Sequence, residues 1–538
     1  AVAPPPSQLR KLLRLLNPSH QHSARSATIL VMAAVFFSRI VGFLRESYIA
    51  SAFGAGSETD AYVAAFTLPN ILVYMLAGGS ISTTFITIYN RFIIEKKPEE
   101  GDKTFSVVVT VMSAIFGVII IAAEIWARPL CALLFPKFDP AQLALTASMT
   151  RILLPMELFI YIGSVVQGVL YAKRLFLVPA ITPIIFNLGI IAGGMALSGF
   201  VGVPSLAIGA LTGAAVGPLA LASVAAWHAG LRYRPSFDHR NAAFREWALL
   251  TLPLMIGVSL VSADEWIIRI FASSGTGDIA RLNFAKRLFG VPSALLNQAI
   301  GQASLPFFAR LFAERRFGEF GKTVNDSVSR SVSAALVVST LMMTAALPAV
   351  DIVYRRHHFT FEDSLGTSLF FLVFSLSLAF WPAQGLYSRA FYSANDTLTP
   401  MIATTVITAG SIPIYGRLYS LYGAPGLAFA SDIGIGLNTV VLALLLHWRG
   451  HVRLSGLRWG EMAKALVAAV LSGGAAYWVA KGIPVTGSRL ADVASLSATG
   501  LTWGLVAVAT LLALRSDLPR DLLNRGRVAP PPAPPPNP

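Results

Sequence analysis

Long apolar segments separated by short polar stretches run along most of this chain of 538 residues. Fourteen segments are long enough to cross about 30 Å of hydrocarbon as helices, because a helix rises about 1.5 Å per residue. The pattern predicts an all-α polytopic membrane protein with about 14 transmembrane helices. The predicted spans are residues 27–52, 61–92, 104–127, 147–172, 177–200, 204–230, 246–272, 279–306, 327–350, 366–394, 399–420, 424–448, 460–482 and 491–514.

The composition supports a membrane protein. Hydrophobic residues make up 55% of the chain and charged residues 13%, with a mean hydropathy of +0.64, whereas a soluble domain carries about 25% charged residues. This argues against a soluble enzyme or a disordered chain. A membrane β-barrel would show segments of about ten residues in which apolar and polar residues alternate, whereas the apolar runs of this chain are long and continuous. One cysteine, Cys131, excludes an internal disulfide.

The net charge of +15 is distributed unevenly between the predicted loops. Lys and Arg collect on one side, which predicts that this side and both termini face the cytoplasm. The cation-rich segments are Arg10–Arg25, Arg91–Lys103, Lys173–Arg174, Arg232–Arg245, Arg310–Lys322, Arg449–Arg458 and Arg515–Arg527.

The two ends of the chain lie outside the predicted spans. We expect residues 1–25 to form a basic cytoplasmic tail, in which leucines alternate with Arg10, Lys11 and Arg14. This pattern fits a surface helix on the membrane or an unstructured tail. Residues 516–538 are rich in proline, and we expect them to be disordered and cytoplasmic.

An internal repeat divides the spans into two lobes. Gln167-Gly168 and Gln384-Gly385 are 217 residues apart, and Asp60 and Asp278 lie at turns 218 residues apart. Six spans per repeat give two parallel lobes, 26–232 and 246–448, an arrangement typical of alternating-access transporters. Spans 13 and 14, within 460–515, are an addition to the repeat.

Charged residues interrupt the first span. Arg39, Arg45 and Glu46 lie in an apolar run, with Gly42 between the arginines as a point where the helix could bend. A charge in lipid costs at least a few kcal/mol, so such residues usually face a watery cavity or a partner. Each guanidinium group can donate two parallel hydrogen bonds to the oxygens of a phosphate. The alternatives are that Arg39 and Glu46 form a structural ion pair, or that the Arg45 side chain extends to the membrane–water interface.

The second lobe also carries charges within its spans. Lys286 and Arg287 are adjacent in span 8, where they require an anion, a cavity or a position near the surface. Asp264, Glu265 and Arg269 lie in span 7, and we expect these three to neutralise one another.

Asp60 and Asp278 each follow small residues and precede a span. The simpler interpretation is that each caps its own helix, which leaves a gating role open. We find no catalytic motif and no metal-ligand spacing, so we expect neither an enzyme nor a cofactor. The residues alone predict a transporter with a cationic cavity and an anionic substrate.

Several motifs together resemble the MurJ (MviN) lipid II flippase family, within the superfamily of multidrug, oligosaccharidyl-lipid and polysaccharide exporters. The resemblance covers about residues 26–515. The motifs are Ser38–Glu46, Phe53–Gly56 with Thr59–Ala61, Phe66–Asn70, Phe284–Leu288, and Arg389–Tyr392 with Asp396–Pro400.

The resemblance implies that the substrate is lipid II, a polyprenyl diphosphate that carries the peptidoglycan precursor. It places Arg39, Arg45 and Arg287, with Lys286 beside it, in the substrate cavity. It makes Asp60 a functional aspartate, and we add Glu46 and Gly42 as gating candidates. Spans 13 and 14 would form the groove for the lipid tail. The resemblance also implies that the protein lies in the cytoplasmic (inner) membrane of a bacterium. The expected partners are lipid II and membrane lipids, without nucleic acid, and the protein is expected to act as a monomer.

Two departures from the family pattern keep alternatives open. Relatives often carry another arginine in span 2, where this chain has Ile71–Tyr74. Some relatives also bind sodium through an asparagine or aspartate in span 11, whereas residues 402–415 of this chain contain no carboxylate and no asparagine. A transporter of another polyprenyl-linked oligosaccharide is therefore the main alternative. A multidrug exporter, a membrane glycosyltransferase and a binding scaffold fit less well.

Overall fold

The protein is described here as a computed structural model that covers residues 24–77, 81–256, 260–301, 304–483 and 489–523. Every regular element in these ranges is a helix, which confirms the predicted all-α class. Most of the predicted N-terminal tail, with its leucine-rich stretch, and residues 524–538 of the C-terminal tail lie outside the described residues.

The described chain forms two compact units. Unit 1 contains the chain up to Asn283 together with Arg356–Thr360, and unit 2 contains Phe284–Arg355 and the chain from Phe361 onward. The boundary at Asn283 falls inside a helix and not between the predicted lobes. The lobe limits 26–232 and 246–448 therefore remain a prediction.

Unit 1 is built from twelve described helices and the start of a thirteenth. They are α1 (Ala24–Phe53), α2 (Ser57–Ala65), α3 (Thr67–Ala77), α4 (Ile81–Ile94), α5 (Pro98–Ile125), α6 (Ala127–Leu134), α7 (Pro140–Ala172), α8 (Leu177–Val201), α9 (Pro204–Ala214), α10 (Ala222–His228), α11 (Ala242–Ile256), α12 (Leu260–Ala272) and α13 (Asp278–Gly301). A π-helical turn, Ala215–Leu221, joins α9 to α10.

Among the described residues, unit 2 contains the rest of α13, ten further α-helices and two short 3-10 helices, Ser377–Ala379 and Leu454–Gly456. The α-helices are α14 (Ser304–Ala313), α15 (Phe317–Thr344), α16 (Ala346–Tyr354), α17 (Phe361–Leu376), α18 (Phe380–Ser393), α19 (Leu398–Tyr422), α20 (Ala424–Trp448), α21 (Trp459–Gly482), α22 (Arg489–Ala513) and α23 (Leu518–Leu523).

Ten helical segments in the described ranges are long and apolar enough to cross a membrane, and they match predicted spans 3–6 and 9–14. The other four predicted spans are the first two of each repeat. Helices α1 and α13 there carry several charges, and the remaining helices of these spans have 15 residues or fewer. The count of fourteen therefore stays a prediction.

The repeat is also visible in the backbone. Residues with left-handed conformation occur in pairs 219 to 223 positions apart: Gly54 and Gly277, Lys96 and Arg315, Arg174 and Asn395, Gly202 and Gly423, Gly230 and Gly450. Left-handed residues commonly end helices. The same turns thus end corresponding helices in both halves of the sequence.

Helices α21 and α22 pack against α15 within unit 2. Small residues on α21, among them Ala465, Ala468 and Ala469, are buried, and the indole N–H of Trp503 on α22 donates to the Val337 carbonyl at 3.1 Å. The same N–H also lies 3.2 Å from the Thr340 hydroxyl, so the pair added to the repeat is attached through small residues and the polar contacts of Trp503.

The disorder predicted for residues 516–538 is wrong for residues 516–523. The Ser516 hydroxyl donates to Glu461 at 2.7 Å, Asp517 pairs with Arg458, and α23 follows. The polar partners at the start of α21 order this stretch, which the proline-rich composition of the tail did not reveal.

Glycines let α8 and α9 come into very close contact in unit 1. Each helix carries two glycines four residues apart, Gly189 and Gly193 on α8 and Gly209 and Gly213 on α9. A Cβ atom added at Gly193 would lie 2.4 Å from the Cα of Gly209. Small residues at this spacing allow helices in lipid to approach closely and gain dispersion energy.

We predict that Gly193→Val destabilises the protein by about 1–3 kcal/mol, because the added atoms force the two backbones apart. Thermal unfolding in detergent measures this change. Gly199→Val is the matched control on the same helix, since nothing lies within 4 Å of a Cβ at Gly199. Equal melting temperatures for the two variants would contradict the packing role.

Candidate functional site

Arg45 is anchored on α1 by two polar partners. Its guanidinium pairs with the neighbouring Glu46, and its Nη1 donates to Oδ1 of Asn187 on α8 at 2.8 Å. The Glu46 carboxylate is buried and also accepts from the amide of Asn283 at 3.5 Å. A buried ion pair needs such additional hydrogen bonds to offset the loss of water.

The Arg45 guanidinium keeps unused hydrogen-bonding capacity. Its buried Nε has no hydrogen-bond partner, and a guanidinium carries five N–H donors in one plane. The guanidinium is therefore held in position by its two Nη atoms, while the buried Nε–H is left without a partner.

Asn187 and Asn283 were missed by the sequence analysis. Asn187 also donates to the Pro183 carbonyl at 2.9 Å, so it connects the Arg45 side chain to its own helix. The signal in the sequence was a single amide within the apolar run Ile184–Ile191. An isolated amide in lipid needs a partner, but the pattern alone does not identify which one.

Arg39 and Gly42 lie on the same helix in different surroundings. The Arg39 side chain is exposed, and it makes no hydrogen bond or ion pair with any described residue. The alternative of an Arg39–Glu46 pair is therefore wrong, because Arg45 occupies Glu46. Helix α1 continues without interruption through Gly42, where a Cβ would touch the Asn187 amide at 3.8 Å.

Lys286 and Arg287 lie on α13 within unit 2. Lys286 is partly buried and Arg287 is exposed. Both have electrostatic or hydrogen-bonding partners. Their assignment to a substrate site thus remains a prediction.

Asp60 on α2 is fully buried and binds the start of α13. Its two carboxylate oxygens accept the backbone N–H groups of Gly277 at 2.5 Å and Ala280 at 2.7 Å. These N–H groups are among those that the first turn of a helix leaves unsatisfied, and a negative charge there is also stabilised by the helix dipole. We call this contact the Asp60 clamp.

The expectation that Asp60 caps its own helix is wrong. Gly56 occupies the capping position of α2, and Asp60 caps a helix 217 residues further along the chain. A carboxylate four residues into a helix looks like an ordinary first-turn acid in the sequence, so only the tertiary structure identifies the helix that it caps.

The turns around the Asp60 clamp are tightly packed. A Cβ at Gly277 would lie 2.1 Å from the Ala55 carbonyl oxygen, and one at Gly54 would lie 2.6 Å from that of His358. The His358 N–H donates to the Ser51 carbonyl at 3.2 Å. Both glycines have positive φ, so the turns require glycine for conformation and for space.

Two charged residues of span 7 pair as expected. Arg269 binds Glu265 at 3.4 Å, one helical turn away on α12. In span 2, Tyr74 lies edge-on to Trp266 of α12, with ring centroids 5.6 Å apart. An aromatic contact thus occupies the stretch in which the family resemblance led us to expect a further arginine.

The Asp396–Pro400 motif forms a polar turn in unit 2. Asp396 accepts the Thr399 N–H at 3.0 Å and pairs with Arg449. Burial would raise the pKa of the Asp396 carboxyl, but the hydrogen bonds from Thr399 and the Arg449 charge outweigh it, so this pKa lies below its ordinary value. The motif therefore joins α18 and α19 to the end of α20.

Similarity to known proteins extends over most of the chain. A sequence model described as "Lipid II flippase MurJ" matches residues 49–492. The chain is 26% identical over 501 residues to the probable lipid II flippase MurJ of Rhizobium meliloti (strain 1021), covering 89% of this chain and 90% of that protein. It is 26% identical to the lipid II flippase MurJ of Burkholderia cenocepacia, covering 86% and 91%.

Two solved structures share the fold. A lipid II flippase MurJ in an inward closed conformation matches with a TM-score of 0.74 at 24% identity, covering 92% of this chain and 100% of that one. An inward-facing multidrug transporter of the MATE family matches with a TM-score of 0.62 at 15% identity, covering 78% and 98%.

We predict that Asp60→Ala speeds amide hydrogen exchange at Gly277 and Ala280 by roughly 10- to 100-fold. Hydrogen bonds to a charged group contribute about 1.5–3 kcal/mol each, and the variant loses both acceptors. Exchange mass spectrometry of residues 273–284 measures the change. Glu58→Ala, an exposed position on the same helix, is the control, and unchanged exchange in Asp60→Ala would contradict the clamp.

Proposed function

Because the chain belongs to the lipid II flippase MurJ family, we propose that it moves lipid II from the inner to the outer leaflet of the cytoplasmic membrane by alternating access. The similarity in sequence over most of the chain and the shared fold support this function. A protein of this family is a transporter and not a catalyst.

The substrate diphosphate binds to cations within the membrane. Arg39, Arg45, Lys286 and Arg287 are the candidates. Arg45 carries most of this proposal, because Glu46 and Asn187 orient its guanidinium and Nε remains unpartnered. A preoriented guanidinium loses little entropy when it binds two phosphate oxygens.

The Asp60 clamp is the observation that carries the gating mechanism. It joins a turn of the first repeat to the first turn of α13 in the second repeat. Access from the outer side requires these two hydrogen bonds to break, so the clamp holds the outer gate closed. Its strength of a few kcal/mol is comparable to moving one charge across about 100 mV, which is worth about 2.3 kcal/mol.

The lipid tail follows helices α21 and α22. Both expose large apolar side chains, among them Val470 and Trp478 on α21 and Leu501 and Leu505 on α22. An apolar surface of this kind accommodates a polyprenyl chain while the cations bind the diphosphate. The placement of both termini in the cytoplasm follows the Lys and Arg bias of the loops.

A second candidate substrate is another polyprenyl-linked oligosaccharide. The Tyr74–Trp266 contact lies where relatives often carry an arginine, and aromatic rings pack well against sugar faces. The diphosphate chemistry is the same for both substrates, so the headgroup distinguishes them.

We predict that Arg45→Ala lowers outward exposure of lipid II at least about tenfold, because it removes a charge-assisted bidentate contact. The assay uses cells depleted of their own flippase and an external probe that counts outward-facing lipid II. Arg45→Lys keeps the charge without the fork, and we expect partial activity. Arg453→Ala, at an exposed loop position, is the control.

Full activity of a well-folded Arg45→Ala variant would contradict the diphosphate role. Lack of exposure by well-expressed wild-type protein would contradict lipid II as the substrate. The same cells supplied with a different polyprenyl-linked glycan then test the second candidate.

A further inference from the structure

A cavity of about 1200 Å³ opens in unit 1 where α4, α7 and α10 end. It is separate from Arg45 and from the Asp60 clamp, and the proposed transport mechanism does not use it. Its residues come from the loops after α4 and α7, the start of α8 and the last turns before Gly230. By the charge bias of the loops, this end of the helices faces the cytoplasm.

Cationic side chains surround the cavity. Lys96, Lys173 and Arg174 line it together with His228, and none of its lining residues is acidic. Lys173 Nζ donates to the Ala229 carbonyl at 2.8 Å. Lys96 and Arg174 make no ion pair or hydrogen bond through their side chains with any residue that the structure describes. The cavity therefore combines three cationic side chains with no acidic residue in its lining.

The rest of the wall is apolar. Leu175 and Val178 line one side, and Leu221, Val224 and Ala225 line another. Ile94 and Trp227, which adjoin the lining residues Ile93 and His228 in the sequence, are 80% and 60% exposed. A small water-soluble anion has no apolar surface to bury against such a wall, whereas the acyl chain of a lipid packs against it.

The backbone places two of these cations at unusual positions. Lys96 and Arg174 have φ values of +57° and +62°, and each ends its helix in a turn closed by hydrogen bonds from Lys97 to Phe92 and from Leu175 to Leu170. Glycine is the usual residue at such a position, as at Gly230 in the third turn. The two cations thus occur where a smaller residue would fit the backbone better.

We propose that this cavity binds an anionic glycerophospholipid of the adjacent leaflet, with its phosphate held by Lys96, Lys173 and Arg174 and one acyl chain along Leu175, Val178, Leu221 and Val224. Basic pockets between helices at the cytoplasmic side of a membrane bind anionic headgroups. Burial lowers the pKa of Lys173. The nearby Asp102 carboxylate partly offsets this decrease, and the positive charge of Arg232 adds to it. An anion next to Lys173 stabilises its charged form.

The test measures lipid retention by the full chain in detergent. Delipidated protein is titrated with phosphatidylglycerol and, separately, with phosphatidylcholine, and native mass spectrometry counts bound lipid. We expect wild-type protein to bind phosphatidylglycerol preferentially. Lys96→Asn with Arg174→Asn should weaken this binding about 30-fold, because each cation near an anionic surface contributes about one factor of five.

Asparagine tolerates the left-handed backbone, so these substitutions remove charge without disturbing the turns. Arg315→Asn is the matched control, since Arg315 occupies the corresponding left-handed position in the second repeat and does not line the cavity. Equal binding by the double variant and by Arg315→Asn would overturn the proposal. An unchanged melting temperature confirms that the variants are folded.

Two further probes distinguish the sources of the phosphate. Glycerol 3-phosphate at millimolar concentration should not compete with phosphatidylglycerol, and equal competition would overturn the lipid assignment. Undecaprenyl diphosphate should bind this site no more tightly than phosphatidylglycerol. Tighter binding that depends on Lys96 and Arg174 would make the occupant the transported lipid and overturn the phospholipid assignment.

Discussion

A charge or an unpaired polar group is costly where water is absent, and much of this protein follows from that constraint. Arg45 and Glu46 persist in an apolar helix because Asn187 and Asn283 complete their hydrogen bonds. Asp60 persists in a fully buried position because the first turn of α13 supplies two N–H donors. Each of these three charges is thereby tied to a second helix, so the side chains expected to act in transport also position the helices that carry them.

The duplication of the chain is a second organising feature. The left-handed turns recur at nearly constant spacing, even though the residues at some positions differ, as with Arg174 and Asn395. Backbone geometry at helix ends is therefore retained while side chains change. The cavity lined by Lys96 and Arg174 illustrates how corresponding turns can acquire different surface chemistry in the two halves.

The sequence predicted some contacts and misassigned others, and the difference depends on separation along the chain. Arg269 and Glu265 are one helical turn apart, so their pairing followed from helical spacing. Asp60 was assigned to its own helix because its real partner lies 217 residues away. The order in residues 516–523 was missed for the same reason, since Glu461 and Arg458 on another helix stabilise it.

Composition and periodicity by themselves determined the all-α membrane fold, the internal repeat and the presence of charges that need partners, because the cost of exposing polar groups to lipid acts on every residue locally. The motifs indicated the family. Only the tertiary structure decided that Arg45 and not Arg39 pairs with Glu46, that Asn187 orients Arg45, and that Asp60 caps α13. Those choices depend on which helices pack together, and a pattern along one chain does not contain that information.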